Sequence, residues 1–254
     1  MTENATITRE GGVATITVDR PDSLNALNTN TLRVLEELIE ETEDARAVVL
    51  TGAGEDAFVA GADIGYMKEL SVSEAMEYAE LGHRICDRIE THSAPVIAAI
   101  NGYAFGGGCE LALACDLRVA SENAVLGQTE IDLGIVPGWG GTQRLSRLVG
   151  DAAARRMVFL GERLDAEAAA EIGLVGEVVP PEELDSVVGE MAARMAEKPR
   201  FALAAAKEAL NQVHESHQSA GLAYEKRLWS GLFGTEDQHE GMEAFVENRD
   251  PEFE

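Results

Sequence analysis

A glutamate and the run of three glycines before it carry the most chemistry in this sequence. Gly106-Gly107-Gly108 leads directly into Cys109-Glu110-Leu111-Ala112-Leu113-Ala114-Cys115. Glycines opening a helix present backbone N–H groups with no side chain in the way, at the positive end of the helix dipole. Donors of this kind stabilise negative charge developing on a reacting oxygen, by about 3 kcal/mol each. On a helix, Glu110 has Leu113 and Ala114 at i+3 and i+4, so it projects from an apolar face. A carboxylate there is costly unless partnered, and its pKa moves toward the range useful for proton transfer. Glu130 follows 20 residues later. Its own neighbours say less, because in a chain with 46 acidic residues most glutamates are solvated. The chemistry in view is acid–base catalysis beside an anion-stabilising backbone. The plainer alternative is glycines for tight helix–strand packing and a glutamate favoured by the helix start.

The elements that must position these residues can be read from periodicity. Ala14, Ile16 and Val18 alternate with polar or small residues, as in a half-buried strand. Leu32, Leu35, Leu38 and Ile39 recur at helical spacing. Ala47 to Thr51 and Val96 to Ile100 are short apolar runs of the buried-strand type. Between them lie a glycine-rich loop, Gly52 to Asp63, and a capping-box pair, Ser71 and Glu74, opening a helix through about Ile89. Cys109 to Cys115 reads as a helix; Leu117 to Ala120, Ala124 to Leu126 and Leu174 to Val179 read as strands. A second glycine cluster, Gly138 to Gly141, precedes another helix. Strands alternate with helices up to about residue 180 and helices dominate after it, which predicts an α/β core with a helical C-terminal part. The sequence shows no internal repeat.

Composition narrows the function classes. The chain has 254 residues and 45% hydrophobic content, enough for one large α/β core with a helical appendage. A formal net charge of −26 argues against nucleic-acid binding. No apolar run reaches membrane-span length, and the polar start, Met1 to Glu10, has no signal-peptide stretch, so a cytoplasmic location is expected. Cys86, Cys109 and Cys115 form no CxxC pair and read as reduced thiols, the last two as packing residues. There are only four lysines, Lys68, Lys198, Lys207 and Lys226, against 16 arginines. Such an acidic balance resembles that of halophilic proteins suited to molar salt, where the Debye length of roughly 3 Å screens self-repulsion; the alternative is an ordinary acidic cytosolic protein. Gly52-Ala53-Gly54-Glu55-Asp56-Ala57 mimics a dinucleotide fingerprint, but no helix pattern follows it. His214 and His217 lack further ligands, so no metal site is expected. Trp139, between glycines, reads as a packing or pocket-wall residue.

Four segments together carry a family resemblance. They are Arg20-Pro21-Asp22-Ser23-Leu24-Asn25-Ala26-Leu27; Phe58-Val59-Ala60-Gly61-Ala62-Asp63-Ile64; Asn101-Gly102-Tyr103-Ala104-Phe105-Gly106-Gly107-Gly108-Cys109-Glu110-Leu111; and Gly127-Gln128-Thr129-Glu130-Ile131 leading to Pro137-Gly138-Trp139-Gly140-Gly141-Thr142. In this order and spacing they resemble the crotonase (enoyl-CoA hydratase/isomerase) superfamily over nearly the whole chain. Glu236 to Met242 is similar to the family's ending. The resemblance implies a ClpP/crotonase-like ββα spiral core over residues 1–198 and a helical trimerisation region over 199–254. It implies a hydro-lyase, enoyl-CoA hydratase, adding water reversibly to a trans-2-enoyl-CoA thioester. Ala62 and Gly107 would supply the oxyanion N–H groups. Glu110 would hold and activate the water and Glu130 would protonate the α-carbon, although the division of roles stays open. Having both glutamates favours hydration over the alternatives, an enoyl-CoA isomerase or another acyl-CoA enzyme, and over a non-catalytic binding module. Leu24, Ala26, Ala62, Asp63, Ile64, Gly65 and Lys68 would hold the acyl-CoA. Here the chain departs from the pattern: Gly65 stands where hydratases often carry a lysine, leaving Lys68 or Arg20 as candidate cations. No metal or redox cofactor is implied, and the assembly would be a homotrimer or homohexamer.

Overall fold

The structure, a computed structural model, describes residues 4–253. The first antiparallel pair is β1 (Ala5–Glu10) and β2 (Val13–Val18). Thus most of the polar start is an edge strand, whose alternation was masked by Arg9 and Glu10 on its exposed end. Helix α1 (Thr29–Glu41) buries Leu32, Leu35 and Ile39 and is capped by Asn28, whose side chain accepts from the Thr31 N–H.

From there the chain makes three similar circuits. Strands β3 (Ala47–Gly52) and β4 (Ala57–Val59) lead to α2 (Ile64–Met67) and α3 (Val72–Thr91). Strands β5 (Val96–Ile100) and β6 (Tyr103–Phe105) lead to α4 (Gly107–Ala114). Strands β7 (Leu117–Ser121) and β8 (Val125–Gly127) lead, through a 3-10 turn at Glu130–Leu133, to α5 (Gly141–Val149). In each circuit the first strand joins one sheet and the second joins another, so β3-β5-β7 and β4-β6-β8 are parallel neighbours in two separate sheets. This is the ββα spiral, a repeat of backbone course with no matching repeat in side chains. The glycine-rich stretch expected to be all loop contains β4, whose three residues are buried. Three residues are too few for periodicity to register, and the same applies to β6.

The full apolar runs of the central strands follow from burial on both faces. Val48, Leu50, Ala98 and Ile100 face the main core under α1 and α3, whereas Val49, Ile97 and Ala99 face α8 (Leu184–Ala196) through Leu184, Val188 and Ala192. The Ser71–Glu74 capping box is present at the start of α3: the Ser71 N–H donates to Glu74 Oε2 at 2.8 Å and the Glu74 N–H to Ser71 Oγ at 3.4 Å. All eight residues of α4 are buried. All three thiols are free and buried, and desolvation pushes Cys109 and Cys115 up to about 12, which leaves them protonated and unreactive.

Beyond α5 come α6 (Asp151–Leu160), β9 (Arg163–Asp165), which closes the smaller sheet against β8, α7 (Ala166–Glu171) and β10 (Glu177–Val179). The strand expected over Leu174 to Val179 is thus shorter. Leu174 and Val175 instead close the end of α7, both donating to Ala169 O, with Gly173 at positive φ. Three helices finish the chain: α9 (Arg200–Asn211), α10 (Gln218–Leu232) and α11 (Glu236–Glu247). Helix α9 is fastened to the core by Lys207, only 7% exposed. Its ammonium donates to Asp116 Oδ2 at 2.7 Å, Ile89 O at 3.0 Å and Ala94 O at 3.3 Å. Removing one member of a buried pair leaves the other uncompensated, so Lys207→Met is expected to cost about 3 kcal/mol in urea unfolding. A loss below about 1 kcal/mol would mean that the pair behaves as a solvated surface bridge.

Candidate active site

The site is built from three backbone turns. The first is the Arg20–Leu27 turn, where Leu24 and Asn25 take left-handed conformations, φ 49° and 58°. The fully buried Asn25 side chain holds this strained turn: its Oδ1 accepts from the Arg20 N–H at 2.9 Å. Its amide donates to Ala53 O at 2.9 Å and Ala57 O at 2.7 Å. The turn then clasps the Ala60–Asp63 segment. Ala60 N–H donates to Leu24 O at 3.0 Å, Leu27 N–H to Gly61 O at 2.9 Å and Asp63 N–H to Leu27 O at 2.7 Å. This is a parallel bridge between Leu27 and Ala62. In such a bridge Leu27 bonds to the residues flanking Ala62, so the N–H of Ala62 itself is turned to the other side. There Ala62 lines a cavity.

The second turn is Gly106, at φ 50° and ψ −121°, which starts α4. A Cβ at Gly106 would sit 3.1 Å from Glu130 Oε1, and one at Gly108 would sit 1.9 Å from Val59 O. The glycine run therefore does both jobs weighed from the sequence: Gly108 permits packing on β4, while Gly106 and Gly107 line the cavity beside Ala62. As first residue of α4, Gly107 has an N–H with no intrahelical acceptor.

The third turn is Pro137–Gly141. Glu110, 2% exposed, reaches it from α4, and its Oε1 accepts from the Trp139 and Gly141 N–H groups, each at 2.7 Å. Burial raises the Glu110 pKa, opposed by these two N–H bonds. Arg144 on α5 braces the turn. It donates to Trp139 O at 3.0 Å and pairs with Glu90 Oε2 at 2.6 Å and Asp87 Oδ1 at 2.9 Å on α3.

Glu130 starts the 3-10 turn after β8 and is 8% exposed. Burial, and then the neighbouring Glu110 charge, push its carboxyl up to about 7. The fully buried Gln128 stands next to it and, with its amide nitrogen toward Glu130, donates to both carboxylate oxygens at 3.0 and 3.1 Å. Turned the other way, its carbonyl would accept the proton of a neutral Glu130, so amide orientation and protonation state are coupled.

Ala62, Gly107, Glu110 and Glu130 thus line one cavity of about 380 Å³, walled by apolar side chains including Met67, Leu70, Leu133 and Ile135. A larger cleft of about 660 Å³ lies among Asp87, Glu90, Arg118, Arg144 and Arg147. It includes neither the two glutamates nor Ala62 and Gly107, so the smaller cavity is the candidate site. Backbone N–H groups and two carboxyls of raised pKa lining one cavity can stabilise an oxyanion while moving protons at carbon or water.

The sequence pattern described as Enoyl-CoA hydratase/isomerase matches residues 8–254. The chain belongs to the enoyl-CoA hydratase/isomerase family. It is 45% identical to the short-chain-enoyl-CoA hydratase of Clostridium acetobutylicum, over 97% of this chain and 95% of that one. It is 42% identical to the crotonyl-CoA hydratase of Syntrophomonas wolfei, over 99% and 98%. Among solved structures it superposes on an enoyl-CoA hydratase from Bacillus anthracis with TM-score 0.95 at 38% identity, covering 98% of each chain.

The remaining residues expected to hold acyl-CoA in this family member divide in two. Ile64 lines the cavity. Leu24 and Ala26 lie on the clasping turn, and Asp63, Gly65 and Lys68 on the loop and helix α2 beside the cavity. Asp63 caps α2, accepting from the Tyr66 N–H at 3.2 Å. Lys68 is exposed and pairs with Glu69 at 3.5 Å. Arg20 is not a free cation: its guanidinium donates to Ala26 O and pairs with Asp63 at 3.3 Å, tying the Arg20–Leu27 turn to the start of α2. Gln128 and Arg144 were not singled out by sequence reasoning. Gln128 had one signal, a polar residue between Gly127 and Glu130 in a quoted motif. Arg144 had none, because its partners Asp87 and Glu90 lie on another helix.

Proposed function

We propose that this chain is an enoyl-CoA hydratase acting on a trans-2-enoyl-CoA thioester. The observation carrying the reading is the pair of buried carboxyls, Glu110 and Glu130, in one apolar cavity with the outward N–H groups of Ala62 and Gly107. The family membership and the hydratase relatives support it. With the thioester oxygen between the two N–H groups, a water held at the carboxyls attacks the β-carbon. The new C–O bond forms, Glu110 takes the water proton, and the π electrons move onto the thioester oxygen as an enolate. The enolate takes the Glu130 proton at its α-carbon. Passing the proton from Glu110 back to Glu130 resets the site. The reaction as written requires no metal or redox cofactor.

The direct test is loss of the conjugated-enoyl absorbance of crotonyl-CoA, at low and molar KCl. A folded protein inactive at every salt level would remove hydration of short chains and bring forward the isomerase reading, which needs only an enolate and one base.

Arg144 is a positioning residue in this reading, because it holds the turn whose N–H groups hold Glu110. Arg144→Met is expected to lower kcat/KM about 100-fold. It should also move the acidic limb of the pH profile upward, since a carboxylate losing N–H donors binds its proton more tightly. Added guanidinium should restore part of the rate. A fall in melting temperature with an unmoved pH profile would reduce Arg144 to a structural role.

The reading extends to assembly and setting. No described helix is long and apolar enough to cross a membrane. Helices α9 to α11 expose Phe201, Leu210, Trp229, Phe245 and Val246, and the turn after α9 exposes Val213, apolar surface suited to contacts between copies in a trimer or hexamer. Sedimentation velocity tests this; a monomer at micromolar concentration would overturn it. The −26 charge supports function in a salt-rich cytoplasm. Unfolding that KCl does not stabilise would remove that part.

A further inference from the structure

We propose that Trp139 is the end wall of the acyl pocket and restricts this site to short enoyl chains; the proposal rests on the hydratase reading. Trp139 is 4% exposed and lines the cavity with both glutamates and Gly107. Its indole fills the space between α3 and α4. A Cβ on Gly82 of α3 would lie 2.2 Å from the ring, and one on Gly107 of α4 would also lie 2.2 Å from it. Those two positions have no side chain because the ring occupies the room one would need.

The wall is also held in place. Tyr78, 6% exposed, packs edge-on against the indole with ring centroids 5.4 Å apart. The Tyr78 hydroxyl donates to Leu27 O at 2.7 Å, the same carbonyl that receives the Asp63 N–H. On its other side Trp139 is fixed through its own backbone, with its N–H on Glu110 and its carbonyl on Arg144. The backbone bonds fix where the side chain starts, and the contacts with Tyr78, Gly82 and Gly107 hold the ring itself.

Gly107 carries the N–H proposed for the thioester oxygen, so the ring pressed against Gly107 lies next to the place the thioester would take. An acyl chain running past the glutamates meets it early. Along α3 the cavity-lining residues beside Tyr78 are Ala75 and Ala79, and Gly82 lies one turn beyond. Trimming the indole therefore opens a passage between the two helices that a longer chain could enter.

The test compares wild type, Trp139→Phe and Trp139→Ala on trans-2-enoyl-CoA thioesters of increasing length, from crotonyl to decenoyl. Binding of saturated butyryl-CoA and decanoyl-CoA is measured by calorimetry alongside. Wild type should lose at least tenfold in kcat/KM from crotonyl to octenoyl. The octenoyl-to-crotonyl ratio should rise at least tenfold in Trp139→Ala, with Trp139→Phe between. Ratios within twofold of wild type in a folded variant would overturn the wall, as would a wild type hydrating decenoyl as well as crotonyl. If the alanine variant does not fold, the phenylalanine variant and the wild-type length profile decide. A wild type that hydrates no chain but binds butyryl-CoA far better than decanoyl-CoA sinks the hydratase reading and keeps the wall. Equal binding of the two sinks the wall.

Discussion

Glu110→Gln is expected to lower kcat/KM for crotonyl-CoA by about 1,000-fold, and Glu130→Gln by a similar factor, in proteins that remain folded. Glutamine preserves the shape of each side chain. At position 110 its amide oxygen can still accept the Trp139 and Gly141 N–H groups, so the cradle survives. What disappears is the group that takes a proton from water, or, at 130, the group that gives one to carbon. Because both carboxyls hold the one attacking water and the site turns over only when the proton passes between them, the double variant should be little slower than the worse single variant. Stopped assays over hours, with circular dichroism as the folding check, make the comparison. A single variant within tenfold of wild type would remove that carboxyl from the proposed chemistry. Multiplicative losses in the double variant would mean that the two act on separate events.

The second large effect is on stability, and its sign follows from Glu130. Its carboxyl titrates at about 7 in the folded protein because it is buried beside Glu110. In an unfolded chain it titrates near the ordinary 4.5. Between those values the folded protein holds a proton that the unfolded chain has released. Stability from this group is therefore complete below about pH 4.5 and is lost as pH rises to about 7, by up to roughly 3 kcal/mol. Glu130→Gln removes that loss. It should be more stable than wild type in urea at pH 8 and close to wild type at pH 5. The same difference at both pH values would show that Glu130 is not strained by its protonation. In activity, the same titration predicts that hydration kcat/KM falls as pH rises through about 7. A profile flat to pH 9 would argue against a protonated Glu130 as donor. Stability is given up at the position the proposed chemistry uses, as expected for a site tuned to hold a carboxyl neutral near pH 7.

Much of this protein was legible without a structure. Apolar runs of five residues fixed β3 and β5 as strands buried on both faces. The Ser71–Glu74 pair placed the start of α3 to the residue. The neighbours of Glu110 were enough to say that it projects from an apolar face, because on a helix side-chain direction follows from spacing alone; its burial came from the fold. The four segments together named the family, although each alone would have been a weak signal.

Other features came only from distant parts of the chain meeting. Strands β4, β6 and β9 have three residues each, and they exist because neighbouring circuits supply their hydrogen bonds. Within the polar start, Ala5–Glu10 became β1 because β2 was there to pair with it. Glu130 had no local signal; its raised pKa comes from burial and from Glu110, 20 positions earlier. Arg20, a candidate for substrate phosphates by position, is engaged with Ala26 and Asp63. Arg144 matters through Asp87 and Glu90, which sequence places more than fifty residues away. The sequence by itself determined local conformation and the kinds of group available, since those depend on neighbours within a few residues. Tertiary structure decided burial, partners and pKa, since desolvation and charge act through space and not along the chain.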